Sequence, residues 1–151
     1  MLEVDEIGSF HIGGRSVTLP VGELEVEQMY VQYVRLVRPR GRYPLLLWHG
    51  GGATGALWET TPDGRPGWQM FFLRAGYNVY VSDAVERGRA SWAPYPDVFK
   101  GTPEFSTKRG VWDVLRLGLS EEYNVDPAKR QAYPGHQFPI EALDQDRKSV
   151  V

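Results

Sequence analysis

The sequence predicts an α/β protein in which an antiparallel N-terminal hairpin leads into a parallel sheet. Residues 9–20 read as two short strands around Gly13 and Gly14, a pair with the composition of a two-residue hairpin turn. Residues 27–39 are rich in Val and Tyr and predict a longer strand. A strand, a loop, a helix and a strand then follow in order over residues 43–83, which is the pattern of a βαβ unit with parallel strands.

The elements of the βαβ unit are predicted from hydrophobic pattern and from glycines. Residues 43–49 are a continuous apolar run, as expected of a strand covered on both faces. A loop rich in Pro and Gly follows, in which no regular structure is expected. The helix is expected over residues 67–76, where Gly76 would cap its C terminus. Residues 77–83 complete the unit as a second buried strand.

The C-terminal part of the sequence is mostly irregular. Residues 84–106 read as loop, and the next helix is expected over residues 107–119. The tail over residues 140–151 reads as a short polar helix start or a frayed end. The apolar residues of the predicted helix are Val111, Val114, Leu115 and Leu117.

Composition excludes several classes of protein. The net charge of −2 gives no general attraction to nucleic acid, and no apolar run is long enough to span a membrane. Cysteine is absent, and the three histidines are scattered without an i, i+4 pair, so we expect no metal site. The N terminus lacks the features of a signal peptide, which makes a cytoplasmic location the default expectation. The oligomeric state stays open, with a homodimer as one candidate.

The stretch "PLLLWHGGGATGALW" at residues 44–58 contains two overlapping motifs. The first is the dinucleotide fingerprint G-x-G-x-x-G, formed by Gly50, Gly52 and Gly55. That motif requires a helix to start at the glycines and an acidic residue about 20 residues further on. The next predicted helix begins only near residue 67, and Asp83 lies further away than the fingerprint asks. A nucleotide-binding domain is therefore the less favoured interpretation.

The second motif is His-Gly-Gly-Gly, which begins at His49 directly after a predicted buried strand. Ester hydrolases place such a loop beside the scissile carbonyl, where backbone N–H groups stabilise the oxyanion. Removing one such donor typically costs about 2.7–4 kcal/mol of transition-state stabilisation. The alternative is a glycine turn that only lets the chain leave the sheet, and the motif alone does not decide between them.

Four longer segments carry a family resemblance: "LLLWHGGG", "WETTPDGRPGW", "RAGYNVYVSDAVERGRASW" and "YPGHQFP". With them, residues 8–145 resemble the α/β-hydrolase superfamily, and within it a group of bacterial esterases typified by an Alcaligenes esterase. The resemblance implies an eight-stranded, mostly parallel sheet preceded by an antiparallel hairpin. It also implies hydrolysis of a small-molecule carboxylic ester by an active-site serine, with no cofactor.

The resemblance also assigns roles to residues of the glycine-rich segment. Gly50 and Gly51 would supply the N–H donors of an oxyanion hole that includes Gly52, and His49 would orient the loop. Asp83 would bond the following turn through Arg87 or Arg89 rather than take part in catalysis. Three tryptophans would either line the acyl pocket or cover the upper edge of the sheet, namely Trp58, Trp68 and Trp92.

The sequence departs from the family pattern at the nucleophile. No G-x-S-x-G pentapeptide occurs, and the nearest match, "GLSEE" at residues 118–122, lacks the second glycine. His136 precedes any position where the elbow could lie, so we assign no catalytic residue to this chain. We expect residues 1–151 to be a single incomplete domain, the N-terminal half of the fold, and to be inactive alone. For such an incomplete domain we expect a sheet of about four strands with an unpaired parallel edge, and therefore poor solubility. A non-catalytic binding remnant of the fold is the alternative.

Overall fold

The computed structural model describes residues 2–101 and 106–144. Four strands and three α-helices lie in this part of the chain, with three short 3₁₀ turns near its end. The strands are β1 (Val4–Leu19), β2 (Gly22–Leu36), β3 (Leu45–Leu47) and β4 (Val79–Asp83). The helices are α1 (Ala56–Glu59), α2 (Trp68–Arg74) and α3 (Lys108–Val114), and the 3₁₀ turns are Ser120–Glu122, Pro127–Lys129 and Ile140–Ala142.

The strands form one mixed sheet in the order β1-β2-β4-β3. The pairs β1–β2 and β2–β4 are antiparallel, whereas β3 and β4 are parallel. Helix α2 lies between β3 and β4 in the chain, so these three elements form the predicted βαβ unit. The α/β class, with a hairpin that leads into a parallel pair, is confirmed.

The hairpin turn lies seven residues later than we predicted, because β1 does not break at its glycines. Leu19 pairs with Gly22, which places Pro20 and Val21 in the turn. Gly13 and Gly14 lie inside β1 with φ angles of 77° and 97°. A Cβ atom on Gly14 would lie 2.5 Å from the side chain of Gln28. These glycines therefore allow an unusual backbone and a close approach within one long strand, and they do not end it.

The expectation that residues 43–49 form a strand covered on both faces is wrong for the described residues. Strand β3 has only three residues and lies at the edge of the sheet, and its middle residue, Leu46, is 56% exposed. In contrast, β4 is flanked on both sides by strands, and Val79 and Val81 are fully buried. An apolar run indicates a strand, but it does not tell whether that strand lies at the centre or at the edge.

Helix α3 ends five residues before its predicted end. Thr107 caps the N terminus by accepting a hydrogen bond from the Gly110 N–H at 3.0 Å. At the other end Arg116 adopts a left-handed conformation, and the Leu117 N–H bonds back to the Trp112 carbonyl, which closes the helix. Val111 and Leu117 are buried as expected, whereas Val114 and Leu115 are exposed.

The described residues contain two separate hydrophobic clusters. The first joins the sheet to α2, and its buried members are Val34, Leu36, Leu73, Val79 and Val81. The second surrounds the fully buried Trp112 of α3 and includes Val111, Leu117 and Leu143. Within the predicted tail, Ile140–Ala142 is a 3₁₀ turn, and residues 145–151 lie outside the described residues.

Candidate active site

The glycine loop leaves β3 at its carboxyl end, beside the end of the neighbouring parallel strand β4. The Ala53 N–H donates to the Gly50 carbonyl at 3.3 Å, which closes a tight turn over residues 50–53. Gly52 is the third residue of this turn and has a φ of 68°. A left-handed conformation at the third position of a turn favours glycine, so the backbone geometry explains why residue 52 is glycine.

Gly50 and Gly51 are exposed, and a Cβ atom on either would meet no other atom within 4 Å. Within the described ranges, the N–H groups of Gly50, Gly51 and Gly52 have no hydrogen-bond partner. In the part of the chain that the structure describes, these backbone donors are thus unpaired, and the Cβ positions of Gly50 and Gly51 face open space. Such donors can bind a carbonyl oxygen or an anion that approaches the backbone closely.

His49 is buried and connects the loop to β4. Its Nε2 atom accepts a hydrogen bond from the Ala84 N–H at 3.0 Å, and its Nδ1 atom lies 2.8 Å from the Gly50 carbonyl oxygen. Because a backbone N–H only donates, Nε2 carries no proton, and Nδ1–H donates to the carbonyl. These contacts of His49 are those that a residue orienting the loop would make.

Asp83 fixes the other end of the loop. It is 1% exposed, and its Oδ1 accepts from the Gly55 N–H at 2.6 Å. Its Oδ2 accepts from the Arg89 N–H at 2.9 Å and from the Arg89 Nε at 2.8 Å, so Arg89, and not Arg87, bonds this carboxylate. Burial alone would raise the pKa of Asp83, but the hydrogen bonds from Arg89 and Gly55 outweigh it and lower the pKa.

The consequence is that one strand end holds both ends of the glycine loop. Ala84 binds His49 before the glycines, and Asp83 binds Gly55 after them. Gly55 fits only as glycine, because a Cβ atom there would lie 2.6 Å from the Val81 Cγ1 atom. No sequence motif indicates this second anchor, although Gly55 is part of the dinucleotide fingerprint.

One premise against nucleotide binding was wrong. Helix α1 begins at Ala56, directly after the last glycine of the fingerprint, rather than more than ten residues later. Helix α1 has only four residues, however, and the Gly55 N–H already donates a hydrogen bond to the Asp83 carboxylate. The Ala56 N–H donates to the Thr54 hydroxyl at 3.3 Å. A carboxylate in this position repels phosphate, so the helix start remains unfavourable for a pyrophosphate.

A cavity of about 400 Å³ borders the glycine loop. Gly50, Gly51 and Gly52 line one part of it. The larger side chains around it are Leu57, Trp58, Trp68, Leu115 and Phe138. Two of the three predicted tryptophans thus reach the cavity, whereas Trp92 is 51% exposed and is not among the lining residues. Leu115 and Phe138 were not predicted, because they lie far from the loop in sequence and no motif marks them.

The other two histidines lie in structural settings. His11 is on β1, and its Nε2 atom lies 3.2 Å from the Arg89 carbonyl oxygen. The Nδ1 atom of His136 accepts from the Phe138 N–H at 2.9 Å. In residues 2–101 and 106–144, no group of three or more potential ligands could hold a metal ion, and no helix there is long and apolar enough to cross a membrane.

The sheet order, the parallel pair around α2 and the glycine loop after β3 together define a partial α/β-hydrolase fold. The chain is similar to a bacterial esterase of known structure, with a TM-score of 0.79 and 34% identity, and it covers 51% of that chain. It is also 39% identical over 118 residues to a probable secreted lipase, phiG, of a fungus (strain ATCC 74256). The chain has the N-terminal part of an α/β-hydrolase fold and resembles bacterial esterases.

The third similarity is to a protein that is described as a transcriptional regulator and not as an esterase or lipase. The chain is 31% identical over 134 residues to an uncharacterised HTH-type transcriptional regulator, YhdI, of Bacillus subtilis, and the match covers 24% of that protein. No family model matches the chain. The chain spans about half the length of the esterase and less than a third of the length of the lipase.

Proposed function

We propose that this chain supplies the oxyanion-stabilising part of a serine-type carboxylic-ester hydrolase. One observation carries the proposal: three glycine N–H groups, free of partners in the described part of the chain, border a cavity with largely apolar walls. The similarity to an esterase and a lipase supports the same class of reaction.

In acyl transfer, negative charge develops on the carbonyl oxygen of the ester. The N–H groups of Gly50 and Gly51 would donate to that oxygen, and the lack of side chains would let it reach the backbone. His49 and Asp83 hold the loop from both ends. The donors would therefore be in place before the reaction, so that little reorganisation is needed in the transition state.

The nucleophile and the base of the proposed reaction are not assigned to residues of this chain. The sequence contains no G-x-S-x-G elbow, and the acid and histidine of this fold follow the serine in chain order. We therefore propose that the chain alone does not hydrolyse esters at an enzymatic rate. A binding remnant that retains the loop is the alternative, and it has the same loop geometry.

Sequencing the source DNA beyond the codon for Val151 separates these two proposals. If the hydrolase proposal is right, one of the reading frames should encode a G-x-S-x-G elbow, followed by an acidic residue and a histidine. A non-catalytic remnant predicts that none of the frames encodes this series. Finding no elbow would remove the hydrolase proposal for this molecule.

A hybrid enzyme tests the loop itself. This chain would replace the matching half of the similar bacterial esterase, and hydrolysis of 4-nitrophenyl butyrate would be measured. Gly51→Pro removes one N–H at a turn position where proline is favoured, and it should lower kcat by about 10²–10³-fold. Gly51→Ala keeps the N–H and is the matched control. Equal rates for the two folded variants would contradict the assignment of Gly51.

A further inference from the structure

A second cavity adjoins the one beside the glycine loop, since Thr61 and Gly67 line both. Its volume of about 570 Å³ lies within the usual range for sites that bind small molecules. We propose that this second cavity binds an organic carboxylate, with the carboxylate at the Arg74 guanidinium and the apolar part of the ligand against the Phe71 ring. The site goes beyond the proposed ester hydrolysis and does not depend on it.

Helix α2 supplies one part of the wall of this second cavity. Phe71, Arg74 and Ala75 line it, and residues three and four positions apart lie on the same side of a helix. An aromatic ring and a guanidinium therefore face the same space. A ligand that has an apolar part and a charged end can contact both of them at once.

The segment that precedes α2 supplies the rest of the wall. Its lining residues are Thr61, Arg65, Pro66 and Gly67. The Thr61 N–H donates to the Arg65 carbonyl at 2.9 Å, and the Gly67 N–H donates to the Glu59 carbonyl at 3.0 Å. These backbone hydrogen bonds hold the segment in place, so the wall is formed before a ligand binds, which lowers the entropic cost of binding.

Arg74 gives the cavity a positive charge that has no acidic partner. It is exposed at the last position of α2, and no carboxylate of the described residues forms an ion pair with it. The other arginine of the lining, Arg65, pairs with Asp63 at 2.8 Å. None of the described lining residues is acidic. A carboxylate complements this charge and accepts two parallel hydrogen bonds from a guanidinium.

The position of Arg74 also has a purely structural explanation, because the dipole of a helix favours a positive charge at its C terminus. That explanation does not account for the aromatic rings next to Arg74. Phe71 is 58% exposed and Trp68 is 54% exposed, and the centroids of their rings are 5.3 Å apart. Exposed rings beside an unpaired guanidinium fit a carboxylate with an apolar body better than they fit an inorganic anion.

Two ligands of nearly the same shape test the inference on the chain as it exists. 4-Phenylbutyrate has a carboxylate, and 4-phenylbutyramide has a neutral amide in the same place. The dissociation constant of each would be measured by NMR titration, followed through the arginine Nε–H and tryptophan indole N–H signals. We expect 4-phenylbutyrate to bind about fivefold more tightly, a modest factor because water screens exposed charges.

Variants of two arginines locate the charge that binds the carboxylate. Arg74→Gln should make the two ligands bind equally. Arg74→Lys should retain part of the preference, because it keeps the charge and loses the planar fork. Arg42→Gln is the matched control, since Arg42 is also exposed but does not line the cavity. It removes the same charge from the chain and should leave the preference unchanged.

Phe71→Ala tests the apolar part of the site. Because Phe71 is exposed, the fold should tolerate this change. It should weaken the binding of both ligands by a similar factor, at least about threefold, and leave their ratio unchanged. Unchanged binding of both ligands would overturn the role of Phe71.

The remaining outcomes decide the proposal independently of ester hydrolysis. Equal binding of the two ligands to the native chain would overturn recognition of the carboxylate, and a preference that persists in Arg74→Gln would overturn Arg74 as its source. If neither ligand binds, the site is overturned. If inorganic phosphate binds as tightly as 4-phenylbutyrate, the assigned class of ligand is wrong. Each of these failures leaves the proposed oxyanion role of the glycine loop as it is.

Discussion

Single residues of the glycine loop are glycine for different reasons. Gly52 has a left-handed backbone, and Gly55 has no room for a side chain beside Val81. Gly50 and Gly51 have neither constraint, since a Cβ atom on them would meet open space. If glycine is needed at these two positions, the need comes from what approaches the loop rather than from the fold.

Alanine substitutions should separate these reasons. Gly52→Ala should lower the free energy of unfolding by about 1–2 kcal/mol, because a left-handed backbone disfavours any residue with a Cβ atom. Gly51→Ala should change it by less than about 1 kcal/mol, and in the stabilising direction if its backbone suits alanine. Urea unfolding of both variants measures the difference. A loss at Gly51 as large as that at Gly52 would contradict the turn geometry.

The buried carboxylate of Asp83 should make stability dependent on pH. Its pKa is lowered in the folded chain, against the opposing effect of burial, by the bonds from Arg89 and Gly55. A lowered pKa stabilises the folded state above the unfolded pKa of about 3.9, and this contribution is lost as the pH falls through the folded value.

The matching variant is Asp83→Asn, which keeps the size of the side chain and removes its charge. We expect the urea midpoint of the native chain to fall more steeply between pH 5 and pH 3 than that of the variant. Other carboxylates with lowered pKa values, such as Asp144, contribute to both curves and cancel in the difference. Parallel curves would show that Asp83 does not have this role.

Among the elements, α2 shows how a short helix is held by one buried residue. Of its seven residues only Leu73 is buried, and it packs in the first cluster with Val79 and Val81 of β4. An isolated helix of this length would not be stable in water. Contact with the sheet therefore stabilises α2, and α2 in turn positions Trp68 at the cavity.

Leu73→Ala should lower the free energy of unfolding by about 2–5 kcal/mol, because it leaves a cavity under the helix. Arg74→Ala changes the next, exposed residue of the same helix and should cost less than about 1 kcal/mol. Thermal unfolding followed by circular dichroism would compare them. A similar loss in both variants would contradict the role of the buried Leu73 contact, because alanine favours the helix at both positions.

Strand β3 is the element whose setting differs most from its sequence pattern. Its apolar residues form one edge of the described sheet, and β1 forms the other. Unpaired backbone groups and exposed apolar side chains at such an edge favour pairing with another strand.

For the whole molecule, this edge predicts self-association of the chain as given. We expect light scattering that increases with protein concentration. Leu46→Lys should reduce it, because a charge on an edge strand opposes strand addition. Val114→Lys adds the same charge at an exposed apolar residue of α3 and should have a smaller effect. Equal suppression by the two variants would indicate that net charge, and not the edge, controls association.

The sequence by itself determined the class of fold, the βαβ unit and the location of the glycine loop. Hydrophobic pattern and glycine placement act over short distances along the chain, so they can be read without coordinates. The four segments that resemble bacterial esterases also indicated the kind of protein to which the chain is similar, an esterase and a probable lipase. The resemblance also limited the expected partner of Asp83 to Arg87 or Arg89, which lie close to it in sequence.

Only the tertiary structure decided which apolar strand lies at the edge, where the hairpin turns, and what surrounds the loop. Strand order and strand length depend on pairing between residues that are distant in sequence, such as Val4 with Leu36 in the hairpin and Leu47 with Val81 across the parallel pair. The cavity joins Trp58 to Phe138, which lie in different clusters. Such contacts form because packing and hydrogen bonding act in three dimensions, and a linear pattern does not encode which distant residues will meet.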